Sequence, residues 1–359
     1  MKIKVINGGM LTTVQDKGRY GFQASGVQVS GVMDWQAAYA ANLLVGNDYG
    51  SAVLECTCMG PELEFYEDCL VAAAGGEPKL TLDGQPAEAY SAIRVKAGQV
   101  LKLSSMSQGM RGYIAVAGGI DVPEVMGSCS TNLKLGAGGL DGRRLGAGDV
   151  LSTGEPGTDA KEMLSGLKPC RRLQRTHAHE DMRIIRVVLG PQDDYFTSGA
   201  IEIFLSRAYE ITADSDRMGY RLAGEKLERQ IDGDMVSDGI VFGSVQVPPG
   251  GEPIIMMADH QTTGGYPKVA TVITADLPEL AQSGPGNKVS FRAVSVKEAQ
   301  AAYQEKLGQL EAAREVFENS RPASAAAGEA LSGYGIKHYN VKVAGQQFEV
   351  SLQPVITRK

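Results

Sequence analysis

The chain has 359 residues with a formal net charge of −7, 45 glycines and only 6% aromatic residues, which is long enough for two or three ordinary domains with a sizeable core. The mild acidity, with no basic stripe, argues against a nucleic-acid partner. No apolar run nears the roughly 18 residues of a membrane span, and Met1-Lys2-Ile3-Lys4-Val5-Ile6 lacks the apolar core of a signal peptide, so a cytoplasmic protein with no membrane partner is expected.

Residues 1–155 read as a first β-rich subdomain. Short β-prone pieces at Lys2–Asn7, 63–65, 70–74, Ile93–Val95, 100–103 and 113–116 are separated by Gly75-Gly76, Asp83-Gly84, Ala97-Gly98 and Gly118-Gly119. One helix stands out: Asp34 caps it, Trp35–Val45 propagates it and Gly46 ends it, with Trp35, Ala38, Asn42 and Val45 on one face. Residues 156–180 read as a linker.

A second β-rich subdomain is expected over 181–294, with strands near 184–189, 208–212, 240–247, 253–258, 270–274 and 289–293. Ser295-Val296-Lys297-Glu298 is a capping box that opens a helix over 295–319. Its stripe of Ala299, Tyr303, Leu307, Leu310, Ala313 and Phe317 fits a helix lying on its own barrel. Residues 320–335 have the composition of a flexible linker. The tail, 336–359, alternates as a β-hairpin: Tyr339, Val341 and Val343, then Gly345, then Phe348, Val350 and Leu352. Two β-rich regions with few helices call for closed or sandwiched antiparallel sheets.

Common catalytic signatures are missing. There is no P-loop, no H-E-x-x-H and no G-x-S-x-G. Gly136-Ala137-Gly138-Gly139 has the glycines of a phosphate cradle but no convincing helix after it, and reads as a structural turn. The five cysteines, Cys56, Cys58, Cys69, Cys129 and Cys170, lack zinc-site spacing and read as reduced thiols. His177-Ala178-His179-Glu180-Asp181 has no framing structure, so no metal is expected.

Three polar clusters remain. The first is Gln15-Asp16-Lys17-Gly18-Arg19 with Ser30-Gly31-Val32-Met33-Asp34. The second is Ser215-Asp216-Arg217-Met218-Gly219-Tyr220-Arg221. The third is Asp259-His260-Gln261-Thr262-Thr263-Gly264-Gly265-Tyr266-Pro267, set between two apolar runs. A turn needs glycine, but it does not need Gln, two Thr and Tyr together. Arg suits a carboxylate, and Gln and Thr suit an amide, so the clusters fit a small acidic or amide substrate. The plainer reading is that Asp16 with Arg19, and Asp216 with Arg217, are local ion pairs that lock turns. Asp16, Asp34, Asp216 and Asp259 all remain open as the general base.

The same segments carry a family resemblance. Thr13-Val14-Gln15-Asp16-Lys17-Gly18-Arg19, Ser30-Gly31-Val32-Met33-Asp34, Ala115-Val116-Ala117-Gly118-Gly119-Ile120-Asp121-Val122-Pro123 and Leu189-Gly190-Pro191-Gln192-Asp193 come first. Residues 215–222, 238–248, and 259–267 with Ala275-Asp276-Leu277-Pro278 follow in order. In these the chain resembles the biotin-dependent carboxyltransferase-like family, also called allophanate hydrolase subunit 2. The resemblance implies a mainly β fold with a few helices and cyclophilin-like β-barrel subdomains in tandem.

Within that family the resemblance is to the C subunit of bacterial 5-oxoprolinase. It implies ATP-dependent opening of 5-oxo-L-proline in a complex with a sister β-barrel subunit of B type and a subunit of A type, the site of ATP binding being left open. The catalytic candidates are then Asp16, Arg217 and Asp259. The substrate-binding candidates are Gln15, Arg19, Ser30, Met33, Asp34, Met218, Tyr220, Arg221, Gln261, Thr262, Thr263, Gly264, Gly265 and Tyr266. Two other roles occur in the family: carboxyl transfer from carboxybiotin to urea or a similar amide, and regulatory binding of a kinase inhibitor. The tail resembles the opening hairpin of a biotin carrier domain, which would imply a biotin carrier protein as a further partner. It holds no Ala-Met-Lys-Met, so no covalent biotin is expected on this chain.

Overall fold

The computed structural model describes residues 1–173, 182–231 and 235–319, with the backbone of 337–343 and 346–352. The His177–Asp181 segment and the expected linker at 320–335 lie outside the described residues.

The first region divides its strands between two sheets. Sheet I runs Ile120–Asp121, Val150–Thr153, Lys2–Asn7, Glu62–Phe65, Val100–Met106, Pro78–Leu82 and Gln85–Ala87 in spatial order. Sheet II runs Leu11–Gln15, Val53–Thr57, Arg111–Val116, Cys69–Gly75 and Ile93–Val95. Alternation directs side chains from both into a shared core: Ile3, Val5, Leu63, Phe65 and Leu101 from sheet I, and Val14, Leu54, Val71, Ile114 and Val116 from sheet II.

The opposite face of sheet II is also covered. Val53, Leu70, Ala72, Ala74, Tyr113 and Ala115 pack against Ala37, Ala38, Ala41, Leu44 and Val45 of helix α1, Trp35–Val45. Burial on both faces explains why Cys69–Gly75 is an unbroken apolar run and not an alternating one. Asp34 and Gly46 terminate α1 as the sequence indicates, Asp34 Oδ1 accepting from Ala37 N at 2.9 Å and Gly46 adopting φ 76°.

Part of the stretch expected to be a linker, 156–180, is ordered structure. Helix α2, Thr158–Ser165, sits between Gly157 and Gly166 and places Ala160 and Met163 in the core beneath α1. Arg171 is buried, donating to Leu43 O at 2.6 Å and pairing with Asp159. The helix is short and mostly polar, so its few core contacts leave little periodic signal.

The second region closes into a barrel. Its strands run Met182–Leu189, Lys268–Val272, Ser244–Gln246, Ile254–Met256, Gly219–Ala223, Ala208–Ile211 and Lys288–Ala293 around the ring. Its strand pairs are antiparallel apart from Met182–Leu189 with Lys288–Ala293. Helix α3, Ser198–Ser206, is capped by Thr197 and stacks Phe204 on Phe291 with ring centroids 4.4 Å apart. Met33, from the first region, is fully buried in the barrel's core cluster. The mainly β architecture with a barrel is as expected; the first region folds as facing sheets.

Helix α4, Leu277–Ala281, precedes the last barrel strand, and helix α5, Val296–Glu318, opens on the expected capping box. α5 does more than lie on its own barrel. Ala302 packs with Ile273 and Ala275, Leu310 joins the α1 cluster, and Ala313 and Phe317 pack on Leu43. Lys337–Val343 and Gln346–Leu352 pair as the antiparallel hairpin expected in the tail.

Candidate functional site

Sheet II carries a row of polar residues on the face turned away from the shared core. Register places Thr13 and Tyr113 on either side of Glu55, and Arg111 opposite Thr57. Alternation puts Thr13, Gln15, Glu55, Thr57, Arg111 and Tyr113 on this one face, which meets the barrel in a buried polar seam.

Arg217 reaches into that seam from the turn before Gly219–Ala223. Its Nε donates to Asp259 Oδ2 at 2.8 Å and its Nη2 to Asp259 Oδ1 at 3.2 Å and Gly31 O at 2.7 Å, while Nη1 pairs with Glu55 Oε1. Glu55 Oε2 accepts from Met33 N and from Tyr113 Oη, both at 2.8 Å. Tyr113 Oη in turn accepts from Asp34 N at 2.8 Å. Arg111 lies 3.8 Å from Glu55 and donates to Thr57 Oγ1 at 2.6 Å. The seam thus alternates buried acidic and basic groups, Arg217 between Asp259 and Glu55 and Arg111 beside Glu55, the pairing that burial of ions requires.

Electrostatics follow from that packing. Burial opposes the charge on Arg217, but Asp259 and Glu55 outweigh it and raise its pKa. Burial, then Glu55 and Asp34, hold Tyr113 well above an ordinary phenol. Burial pushes Asp34 up to about 6, against hydrogen bonds from Gln282 and Ala37. His260 is lowered by burial, and its Nδ1 lies 2.7 Å from Gln261 O.

The first cluster organises a loop. Asp16 Oδ1 accepts from Gly18 N at 2.8 Å, Ser128 Oγ at 2.7 Å and Ser130 Oγ at 2.5 Å, and its Oδ2 from Cys129 N at 2.7 Å. Arg19 does not pair with Asp16 here; its guanidinium donates to the carbonyls of Val125 at 2.7 Å and Ser130 at 2.9 Å. Gln15 donates to Thr13 Oγ1 and Thr131 O, both at 3.0 Å. Asn132 Nδ2 joins Gln28 Oε1 at 2.7 Å to Ser30 Oγ at 3.0 Å, and Gln28 Nε2 donates to Asp259 O at 2.8 Å. This chain of bonds connects the first cluster to the third.

The Asp259–Pro267 turn is anchored at its base and open at its tip. Thr263–Gly264 pairs with Asp238–Gly239, and Lys268 Nζ donates to Asp238 Oδ2 at 2.5 Å and Gly239 O at 2.6 Å. A Cβ on Gly264 would meet Ile240 Cδ1 at 2.6 Å and Gln246 Nε2 at 2.8 Å. Asp259 and His260 are buried, Gln261, Thr262, Gly264 and Gly265 partly so, and Thr263 and Tyr266 are exposed.

The structure therefore joins Arg217, Asp259, Ser30, Met33 and Asp34 through Glu55, Tyr113 and Gln28. Asp216 is separate from Arg217's carboxylate partners: it turns its own loop, accepting from Met218 N at 2.7 Å and Gly219 N at 3.2 Å. Met218 is half-buried and its Sδ lies 3.7 Å from Gln28 Nε2. Tyr220 points into the barrel core, and Arg221, one residue on, is exposed on the barrel's outer side. Sequence reading passed over Glu55, Arg111, Tyr113, Gln28, Asn132 and Gln282. Only Glu55 had a visible signal, a carboxylate set between Val53, Leu54 and Cys56 in an apolar strand.

Arg217 gives donors to Asp259, Glu55 and Gly31 O, and Arg19 donates through Nε and Nη2 to two backbone carbonyls, so both brace the fold. Thr263 and Tyr266 of the 261–266 tip are exposed, with Gln261 and Thr262 beside them partly so. The Gly136–Gly139 loop is a turn packed tightly at its second half: a Cβ on Gly138 would meet Ser130 O at 2.0 Å, and Gly139 N donates to Cys129 O at 3.0 Å. Among the described residues no group of three His, Cys, Asp or Glu is placed to hold a metal, and no helix is long and apolar enough to cross a membrane.

This arrangement of facing sheets, barrel and buried seam has relatives. Residues 25–293 match the carboxyltransferase domain, subdomain A and B, and the chain belongs to that family. It is 43% identical over 303 residues to the C subunit of Escherichia coli 5-oxoprolinase, covering 84% of this chain and 94% of that one. The C subunit of Haemophilus influenzae 5-oxoprolinase is 39% identical over 297 residues, covering 83% and 93%. The crystal structure of Kluyveromyces lactis urea carboxylase superposes with a TM-score of 0.79 at 28% identity, over 98% of this chain but 33% of that longer one.

Proposed function

We propose that the chain is the C subunit of an ATP-dependent 5-oxoprolinase, helping to open 5-oxo-L-proline to L-glutamate. The observation that carries this reading is the 43% identity to the C subunit of a 5-oxoprolinase across 94% of that protein's length. A relative matched end to end constrains function more than one matched over a third of its chain.

A lactam is an unreactive amide, and phosphorylation of its oxygen by ATP activates the carbonyl carbon toward water. ATP is assigned to the complex and not to the Gly136–Gly139 loop. On this chain the exposed tip of the 259–267 turn provides the amide and hydroxyl partners that a lactam would meet. Arg217, Asp259 and Glu55 are positioning residues that hold the turn in place, and Asp16 and Arg19 do the same for the loop beside it. Holding donors where charge develops is the expected contribution of such a scaffold. The chain works with a sister subunit of B type and a separate subunit of A type.

The test is reconstitution. Glutamate release from 5-oxo-L-proline and ATP is followed with the A- and B-type subunits, with and without this chain. Release that needs this chain supports the proposal; equal release without it removes the chain from the reaction.

A second reading, carboxyl transfer to urea or a similar amide, is favoured by the urea carboxylase superposition over 98% of this chain. It predicts turnover that depends on a biotinylated carrier and bicarbonate.

A further inference from the structure

We propose that Asp34 and Gln282 form a proton-sensitive latch that couples α1, sheet II and the barrel. The two residues lie 248 positions apart, and Gln282 Nε2 donates to Asp34 Oδ2 at 2.8 Å. Gln282 sits just past α4 and clamps sheet II with the rest of its amide. Its Oε1 accepts from Met110 N at 3.1 Å and Arg111 N at 3.0 Å, and its Nε2 also donates to Arg111 O at 3.0 Å. Asp34 is buried, and its other oxygen accepts from Ala37 N at 2.9 Å as the cap of α1. One carboxylate therefore joins three elements.

Both carboxylate oxygens accept N–H donors, and that makes the joint sensitive to a proton. A proton on Oδ2 faces the Gln282 amide N–H; a proton on Oδ1 faces the Ala37 N–H. Gln282 offers it no acceptor in exchange, because Oε1 is taken by backbone N–H groups. Either way one bond of the joint is lost. Burial pushes the group up to about 6, into a range where a modest change in pH moves it.

The charged and titratable neighbours are few. Glu279 of α4 opposes the carboxylate charge and Lys306 of α5 favours it. Tyr113 of sheet II stands on the Asp34 backbone N–H and passes the contact to Glu55, which pairs with Arg217. The latch is thus wired to the seam beneath the 259–267 turn. It is independent of which amide the complex acts on.

The test is a carbon-13 titration of the Asp34 carboxyl in the full chain. The Gln282 side-chain amide and the Ala37 backbone amide are followed for hydrogen exchange in the same samples. The Asp34 signal should move with a midpoint near 6, and one of the two amides should exchange about tenfold faster on the acid side, the factor that loss of a charge-assisted hydrogen bond brings. Asp34→Asn should abolish both steps. Should that variant not fold, Gln282→Met serves instead, since losing the amide donor should move the Asp34 midpoint upward. A midpoint near the ordinary 3.8, or a midpoint near 6 with neither amide responding, would overturn the latch.

Discussion

Glu55 and Arg217 lie 162 residues apart in the chain and form an ion pair whose side chains are 2% and 6% exposed. One comes from the middle of a strand in sheet II and the other from a turn of the barrel. Asp259, Met33, Tyr113 and the Gly31 carbonyl are each bonded to one of these two residues.

Breaking that pair is expected to cost stability before it costs chemistry. Arg217→Ala leaves Asp259 buried without its counter-ion and Glu55 with only Arg111, 3.8 Å away, a loss of about 3–5 kcal/mol. Glu55→Ala falls in the same range, and joint replacement of both by Ala should cost less than the sum. Urea unfolding of the singles and the double measures this; additive losses would mean that the two residues do not act as a pair.

Arg221 should behave differently. It is exposed on the barrel's outer side, so Arg221→Ala should change stability by no more than about 0.5 kcal/mol. A large shift in the unfolding midpoint would place it in a contact that the present fold does not show.

Gly264→Ala tests the base of the turn. The added Cβ would fall 2.6 Å from Ile240 Cδ1 and 2.8 Å from the Gln246 amide, and overpacking of this kind costs about 1–3 kcal/mol. Thr263→Ala, at the exposed neighbour, should leave stability within about 0.5 kcal/mol. If Thr263 meets substrate, reconstituted turnover should fall with a raised KM, while an unchanged KM removes it from the site.

The helix ends were legible because their signals are local. Asp34 with Gly46 around α1, and Ser295 with Glu298 at α5, announce themselves within a single turn of sequence. The strands were legible from alternation, and the 259–267 turn from its excess of polar groups. The seam was not. Glu55 draws its meaning from Arg217, and Gln282 from Asp34 and Arg111, all far away in sequence. Arg19 misled for the opposite reason: beside Asp16 it reads as a local pair, yet its guanidinium bridges two carbonyls more than 100 residues away. Helix α2 was hidden by its polarity.

Global stability should carry the mark of Asp34. Its folded value is about 6 against an ordinary 3.8, so the folded chain holds that proton more tightly than the unfolded chain does. The stabilisation is fully present below the ordinary value and is lost as pH rises through about 6. The whole difference amounts to about 3 kcal/mol. Unfolding free energies on either side of this window should therefore differ more in the wild type than in Asp34→Asn. Equal pH dependence in the two proteins would mean that Asp34 titrates normally.

The most direct measurement gives one reconstituted complex, this chain with its A- and B-type partners, both competing substrates in parallel. The predicted result is ATP-dependent release of glutamate from 5-oxo-L-proline and no turnover of urea with bicarbonate and a biotinylated carrier. Carrier-dependent consumption of urea, with no glutamate formed, would contradict it and assign the chain to carboxyl transfer.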